Sequence, residues 1–324
     1  MGTQLTKNEP KSHKFTKSKN WAHQIYQQIQ FKTRFTNTLR ALLITRRPST
    51  KQTKKSTNSQ NKLYFATILC YNIHIKPKTT KRRKTMIYIT GDTHADFTRF
   101  STDKFPIQKE MTKNDYVIIC GDFGGVWSYE KESNQEKYWL DWLNNKNFTT
   151  LFVDGNHENF TRLYNYPTQT WQNGKVHKIR DSVFHLARGE IFDIENKKFF
   201  TFGGAKSHDI QDGILNMNEE EKIYTYRKRG AFFRVRNYSW WDLELPTNQE
   251  MQNGLNNLEK VNYKVDYIIT HCCPTNVQAL LGGGKYKKDY LTDYLQEISE
   301  KCDFKKWYFG HYHDNKQIDT KYVL

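Results

Sequence analysis

Five short apolar runs in this chain each end in a side chain able to bind a metal ion. The runs are Ile87-Tyr88-Ile89, Tyr116 to Cys120, Leu151-Phe152-Val153, Tyr267-Ile268-Ile269 and Trp307-Tyr308-Phe309. They lead into Gly91-Asp92-Thr93-His94, Gly121-Asp122, Gly155-Asn156-His157-Glu158, Thr270-His271 and Gly310-His311-Tyr312-His313. An apolar run of that length, bounded by turn residues, reads as a buried strand. Several buried strands that each release Asp, Asn or His at the carboxyl end would gather those side chains on one rim of a sheet. Open α/β sheets bind their ligands there.

The donor types narrow the chemistry. Two Asp, one Asn and several His, with no Cys, form an oxygen and nitrogen site that suits Mn, Fe, Zn, Co or Ni better than Ca. Residues two apart on an extended chain point to the same side, so His311 and His313 can reach one cluster. Each signal is weak alone. Gly-Asp is a common turn sequence, and a lone His at a strand end is usually a hydrogen-bonded surface residue. Together they outweigh the bland reading, because five of the 11 His fall in these motifs and each motif follows an apolar run.

The order Asp-x-His, Gly-Asp, Gly-Asn-His-Glu, His, Gly-His-x-His resembles the calcineurin-like metallophosphoesterase superfamily, and its small bacterial members in particular. The likeness runs from about Met86 to the end. It implies an α/β sandwich of two mixed β-sheets flanked by helices, with the metals at one edge. It also implies hydrolysis of a phosphate monoester or diester by a hydroxide activated by two divalent ions, Mn first among Fe, Zn, Co and Ni. Paired ions of this kind lie about 3.5–4 Å apart, so one carboxylate bridges them. By resemblance Asp122 is that bridge. Asp92, His94 and His313 go to the first ion, and Asn156, His271 and His311 to the second. His157 would face the substrate, stabilise the phosphoryl oxygens and protonate the leaving group, with Glu158 orienting it. Ala95 and Gly124-Gly125 depart from frequent family residues, which puts the substrate class in question but removes no ligand.

Charge divides the chain. Residues 1–85 hold 20 Lys and Arg against one acid, Glu9, a net +19. The remainder has 31 basic and 33 acidic residues, a net −2. The basic character therefore belongs to a leader, and the part carrying the motifs is near neutral. Low hydrophobicity with high charge predicts disorder for most of residues 1–85. Only Trp21 to Leu43 has helical spacing, and Leu63 to Ile75 is apolar but too short for the roughly 18–20 residues of a span. Residues 86–324 are read as the phosphoesterase domain. Five Cys, without C-x-x-C spacing, fit a reducing, cytoplasmic setting. The partner expected is a phosphoester. Two rivals stand beside it: a nuclease-like diesterase whose leader holds nucleic acid by phosphate contacts, and a non-catalytic metal-binding module.

Other segments yield local expectations. Gln135 to Leu143 carries a helical stripe, Thr247-Asn-Gln-Glu250 is a capping box for a helix to about Val261, and Asp289 to Ile298 is amphipathic. Phe184-His-Leu, Glu190 to Ile194 and Lys198 to Phe202 read as strands, the last ending at Gly203-Gly204. Ser207-His208-Asp209 follows this turn and either borders the site or, the preferred assignment, has a structural role. Gly282-Gly283-Gly284-Lys285 lacks phosphate-loop spacing and reads as a mobile loop near the pocket mouth. Arg162 is assigned either to a substrate phosphate or to a helix cap. His177 and His185 are taken as ordinary residues.

Overall fold

A computed structural model describes residues 83–324. The expectations for the leader, including the helical spacing of residues 21–43 and the apolar stretch of 63–75, lie outside the described residues.

Six strands form the first sheet: β1 (Ile87–Thr90), β2 (Tyr116–Ile119), β3 (Thr149–Phe152), β4 (Thr168–Trp171), β5 (Gly174–Arg180) and β6 (Val183–Leu186). Their order is β1-β2-β3-β6-β5-β4, parallel from β1 to β6 and antiparallel beyond. Next in the chain are β7 (Glu190–Ile194) and β8 (Lys197–Phe202), followed by a separate pair, β9 (Gly213–Leu215) and β10 (Phe233–Val235). The second sheet is completed by β11 (Tyr267–Thr270), β12 (Lys306–Tyr308), β13 (Gln317–Ile318) and β14 (Tyr322–Val323), in the order β13-β14-β12-β11-β8-β7. It is also mixed, parallel from β14 to β8.

The central strands read as unbroken apolar runs because both of their faces are covered. Alternate residues divide between cores. Ile87, Ile89, Ile118, Leu151, Phe192, Phe199, Tyr267 and Ile269 share the core between the sheets. Val117, Ile119 and Phe152 face outward onto Leu140 and Leu143 of the helix Asn134–Asn144. Ile268, Phe200 and Trp307 face the opposite way, onto Leu258, Leu295 and Ile298 of two further helices, Asn248–Lys260 and Tyr290–Lys301. Those three helices begin at Ser133, Thr247 and Asp289, each with a reciprocal capping box. Such a box satisfies amide donors that the first turn leaves unpaired.

Register sets where the strands stop. Thr90 pairs with Ile119 and Ile119 with Phe152, so β1, β2 and β3 end level. Thr270 pairs with Phe202, which levels β11 with β8. The motifs thus leave two facing sheets at one end of the sandwich, where a simpler reading expected the rim of a single sheet.

Between β8 and the helix Asn248–Lys260 the chain makes a small lobe. It consists of β9, β10 and the helix Glu220–Lys228 around Leu215, Ile223 and Val235. Its three-residue strands and charged helix give too little periodicity to be seen in the sequence. At the opposite end, the contacts of the described residues begin just ahead of Met86. Arg83 pairs with Asp115 at 2.7 Å, and Thr85 Oγ1 donates to Glu195 at 2.8 Å.

Candidate active site

Gly121, Gly155 and Gly310 are needed because the donors crowd the backbone. A Cβ on Gly310 would fall 2.1 Å from Asp92 Oδ1, and one on Gly121 would fall 2.1 Å from His271 Nδ1. Side chains at either position would displace the very groups the motifs present. His94, Asp122, His311 and His313 also adopt positive φ, at 44°, 44°, 70° and 49°. Non-glycine residues rarely do so, and strained backbone of this sort collects at functional sites.

Donor atoms of Asp92, His94, Asp122 and His313 all lie within 4.8 Å of one another. His94 Nε2 is 3.1 Å from His313 Nε2 and 3.6 Å from Asp122 Oδ2, and His313 Nε2 is 3.1 Å from Asp92 Oδ2. A second group forms on the other oxygen of the same carboxylate. His271 Nε2 lies 3.4 Å from Asp122 Oδ1 and 3.3 Å from Asn156 Oδ1. Its Nδ1 donates to the Cys120 carbonyl at 2.8 Å, which turns Nε2 inward. Asp122 therefore faces both groups, one oxygen to each. His311 is held by its backbone N–H, which donates to Asp92 Oδ1 at 3.0 Å. Its ring packs beside His271, and its Nε2 lies 2.9 Å from His208 Nε2.

The electrostatics fit a cation. Burial disfavours charge on Asp122, but His271, His157 and His94 outweigh it and hold the carboxyl well below its usual range. Asp92 is lowered in the same way, against burial, chiefly by His271 and the hydrogen bond from His313. Burial also disfavours a charged His271, yet Asp122 and Asp92 raise it to about 10. In the protein alone a proton on Nε2 thus holds together three groups that otherwise present only lone pairs: the imidazole nitrogen, the Asp122 carboxylate and the Asn156 carbonyl. A divalent ion satisfies such a set with the proton displaced.

His157 stands beside these groups. Its backbone N–H donates to Asp122 Oδ1 at 2.8 Å, and its ring packs against His94 and Trp127. Burial lowers its pKa to about 4, so the ring is neutral near pH 7. Glu158 does not orient it. Glu158 Oε1 accepts from the Phe123 N–H at 2.7 Å, bracing the Gly121-Asp122 turn, and burial raises the carboxyl well above its normal value. Arg162 faces no open site. It donates to Glu136 Oε1 and to the Ser128 carbonyl, both at 2.8 Å. His177 and His185 form a buried structural chain, 2.9 Å apart, and His185 reaches Asp154 at 2.9 Å.

Ser207-His208-Asp209 corrects the structural assignment made from sequence. Ser207 Oγ lies 3.3 Å from Asn156 Nδ2, His208 meets His311, and Asp209 pairs with Arg234. The charges of both Asp209 and Arg234 act on His157. The tripeptide therefore borders the site directly. Its only signal in the sequence was its place after an apolar run and two glycines. Tyr286, just past the glycine-rich segment, packs on His208 and Tyr312 at the same mouth.

Two facing mixed sheets with carboxylates and imidazoles at their common end fit a metal-dependent phosphoesterase. The chain belongs to the calcineurin-like phosphoesterase family, whose family model matches residues 85–315. No curated protein matches the sequence. No helix among the described residues is long and apolar enough to cross a membrane.

Proposed function

We propose that the protein hydrolyses a phosphate monoester or diester with two divalent ions, Mn²⁺ foremost. The observation that carries this reading is the division of Asp122, with Oδ2 toward His94 and Oδ1 toward His271. Asp92, His94 and His313 would hold one ion, and Asn156, His271 and His311 the other, with Asp122 shared. Bound there, the ions supply neutralisation of phosphoryl charge and acidification of a water molecule.

The chain's own residues do the rest. The Cys120 carbonyl fixes the His271 ring, and Asp92 fixes the His311 backbone, so the donors are positioned before any ion arrives. His157, bound through its backbone to Asp122 and packed on His94, would face a phosphate held there. As a neutral ring it has one N–H to give to a phosphoryl or leaving-group oxygen, and the negative charge of a substrate favours its protonation. Trp127, packed on both His157 and Trp241, restricts water on that side.

The test is a panel of aryl phosphate monoesters and diesters, assayed with chelator-treated protein and with added Mn²⁺, Fe²⁺, Zn²⁺, Co²⁺ or Ni²⁺. Hydrolysis that depends on metal is expected. Absence of turnover with every ion and ester would sink the reading, as would undiminished activity of metal-free protein.

A further inference from the structure

We infer that Ser207 and Glu244 are positioning residues that lock the Asn156 side-chain amide with its oxygen turned toward His271. The inference rests on the proposed two-ion reading and adds residues that no motif contains.

The logic is one of hydrogen-bond direction. Burial raises the Glu244 carboxyl to about 6, so near pH 7 it is ionised and can only accept. It takes the Ser207 N–H at Oε1, 3.1 Å, and the Ser207 hydroxyl at Oε2, 2.5 Å. The single Ser207 hydroxyl hydrogen is thereby committed to Glu244. Toward Asn156 the hydroxyl therefore offers only lone pairs, and at 3.3 Å it can be met only by the amide NH₂. Once the NH₂ is assigned to Ser207, the carbonyl oxygen must point the other way, 3.3 Å from His271 Nε2. All three residues are buried, so bulk water does not compete for these bonds. Reversal of the amide would turn its NH₂ toward His271, where a cation needs a lone pair.

The backbone supports this clamp. Gly204 has φ +91°, and a Cβ there would meet the Glu244 carbonyl at 2.6 Å. Ala205 N–H donates to the same carbonyl at 3.1 Å. Close approach of residues 204–207 to Glu244 is what brings the Ser207 hydroxyl under Asn156.

The experiment uses the full chain, stripped of metal and titrated calorimetrically with MnCl₂. The parent should bind two equivalents. In Ser207→Ala one equivalent should weaken by about 10–100-fold, the usual cost of losing a partner that orients a ligand, while the other keeps its affinity. Glu244→Gln should do the same. A Gln amide has one acceptor oxygen, and when that oxygen takes the Ser207 N–H its NH₂ donates to the hydroxyl and reverses the chain of bonds. The melting temperature of each metal-free variant is measured beside the parent. As a control, Asn156→Asp presents oxygen at both ends, so Ser207→Ala should cost little further Mn²⁺ affinity in that background. A purely structural Ser207 would weaken binding equally in both backgrounds. Equal loss in both backgrounds, or two undiminished equivalents in Ser207→Ala and Glu244→Gln, overturns the assignment and leaves the two-ion reading intact. A parent that binds fewer than two equivalents overturns both.

Discussion

At the residue scale the site depends on acceptors that face one another. Asp122 is the most exposed to substitution, because each of its oxygens serves a different group. Asp122→Asn replaces one of those oxygens with a donor. It should lower both Mn²⁺ stoichiometry and kcat more than any single His substitution, as elemental analysis and an aryl-ester assay would show. His157 differs, since its ring belongs to neither group. His157→Asn should leave metal content unchanged and reduce kcat by about 10²–10⁴, the usual worth of a positioned acid or base. Metal loss in that variant would mean that His157 is a ligand and that its role here is misassigned.

At the element scale, the ends of strands and helices carry polar groups that hold the site's supports. Asp115 opens β2 and joins it to β1. It accepts from Met86 N–H at 2.7 Å, Thr112 N–H at 2.6 Å and Arg83 at 2.7 Å. Burial would push its carboxyl up, but these bonds prevail and hold it below 3.8. A lowered pKa stabilises the fold above the unfolded value, and the contribution disappears as pH falls through the folded one. Asp115→Asn should therefore cost about 1–3 kcal/mol at pH 7. In denaturant titrations the gap to the parent should narrow only below pH 3.8. A gap that is constant with pH would rule out an ionic origin. Thr247→Ala tests a different end, the capping box of the helix Asn248–Lys260. It should cost about 1 kcal/mol in the same experiment. Elements of this kind were legible in the sequence, because apolar period, capping residues and turn glycines all act within a few positions. Phe184-His-Leu, Lys198 to Phe202 and the box at Thr247 each appear where local pattern put them. The lobe around Leu215, Ile223 and Val235 does not follow from local pattern. Its strands are three residues long, and its small core forms only when they meet.

At the scale of the whole molecule, the described contacts begin at Arg83, and the charge imbalance lies upstream of it. A chain starting at Arg83 should match the full protein in melting temperature and in kcat on small esters. One starting at Met86 should stay close to it, because the new α-ammonium lies 2.7 Å from Asp115 and replaces the lost guanidinium. A truncated protein that is insoluble, or that melts far below the full chain, would assign residues 1–82 to the fold. The sequence by itself determined the class of fold and which Asp, Asn and His stand at the ends of its strands, since buried strands and the residues that follow them are encoded in adjacent positions. Tertiary structure alone decided how those donors are held. Glu158 braces a turn rather than His157, Arg162 is taken by Glu136, and Ser207 reaches Asn156 and Glu244 across 51 and 37 positions. A polar side chain commits its hydrogen bonds to whatever the packed sheets place within about 3 Å, and over such separations no local pattern records the partner.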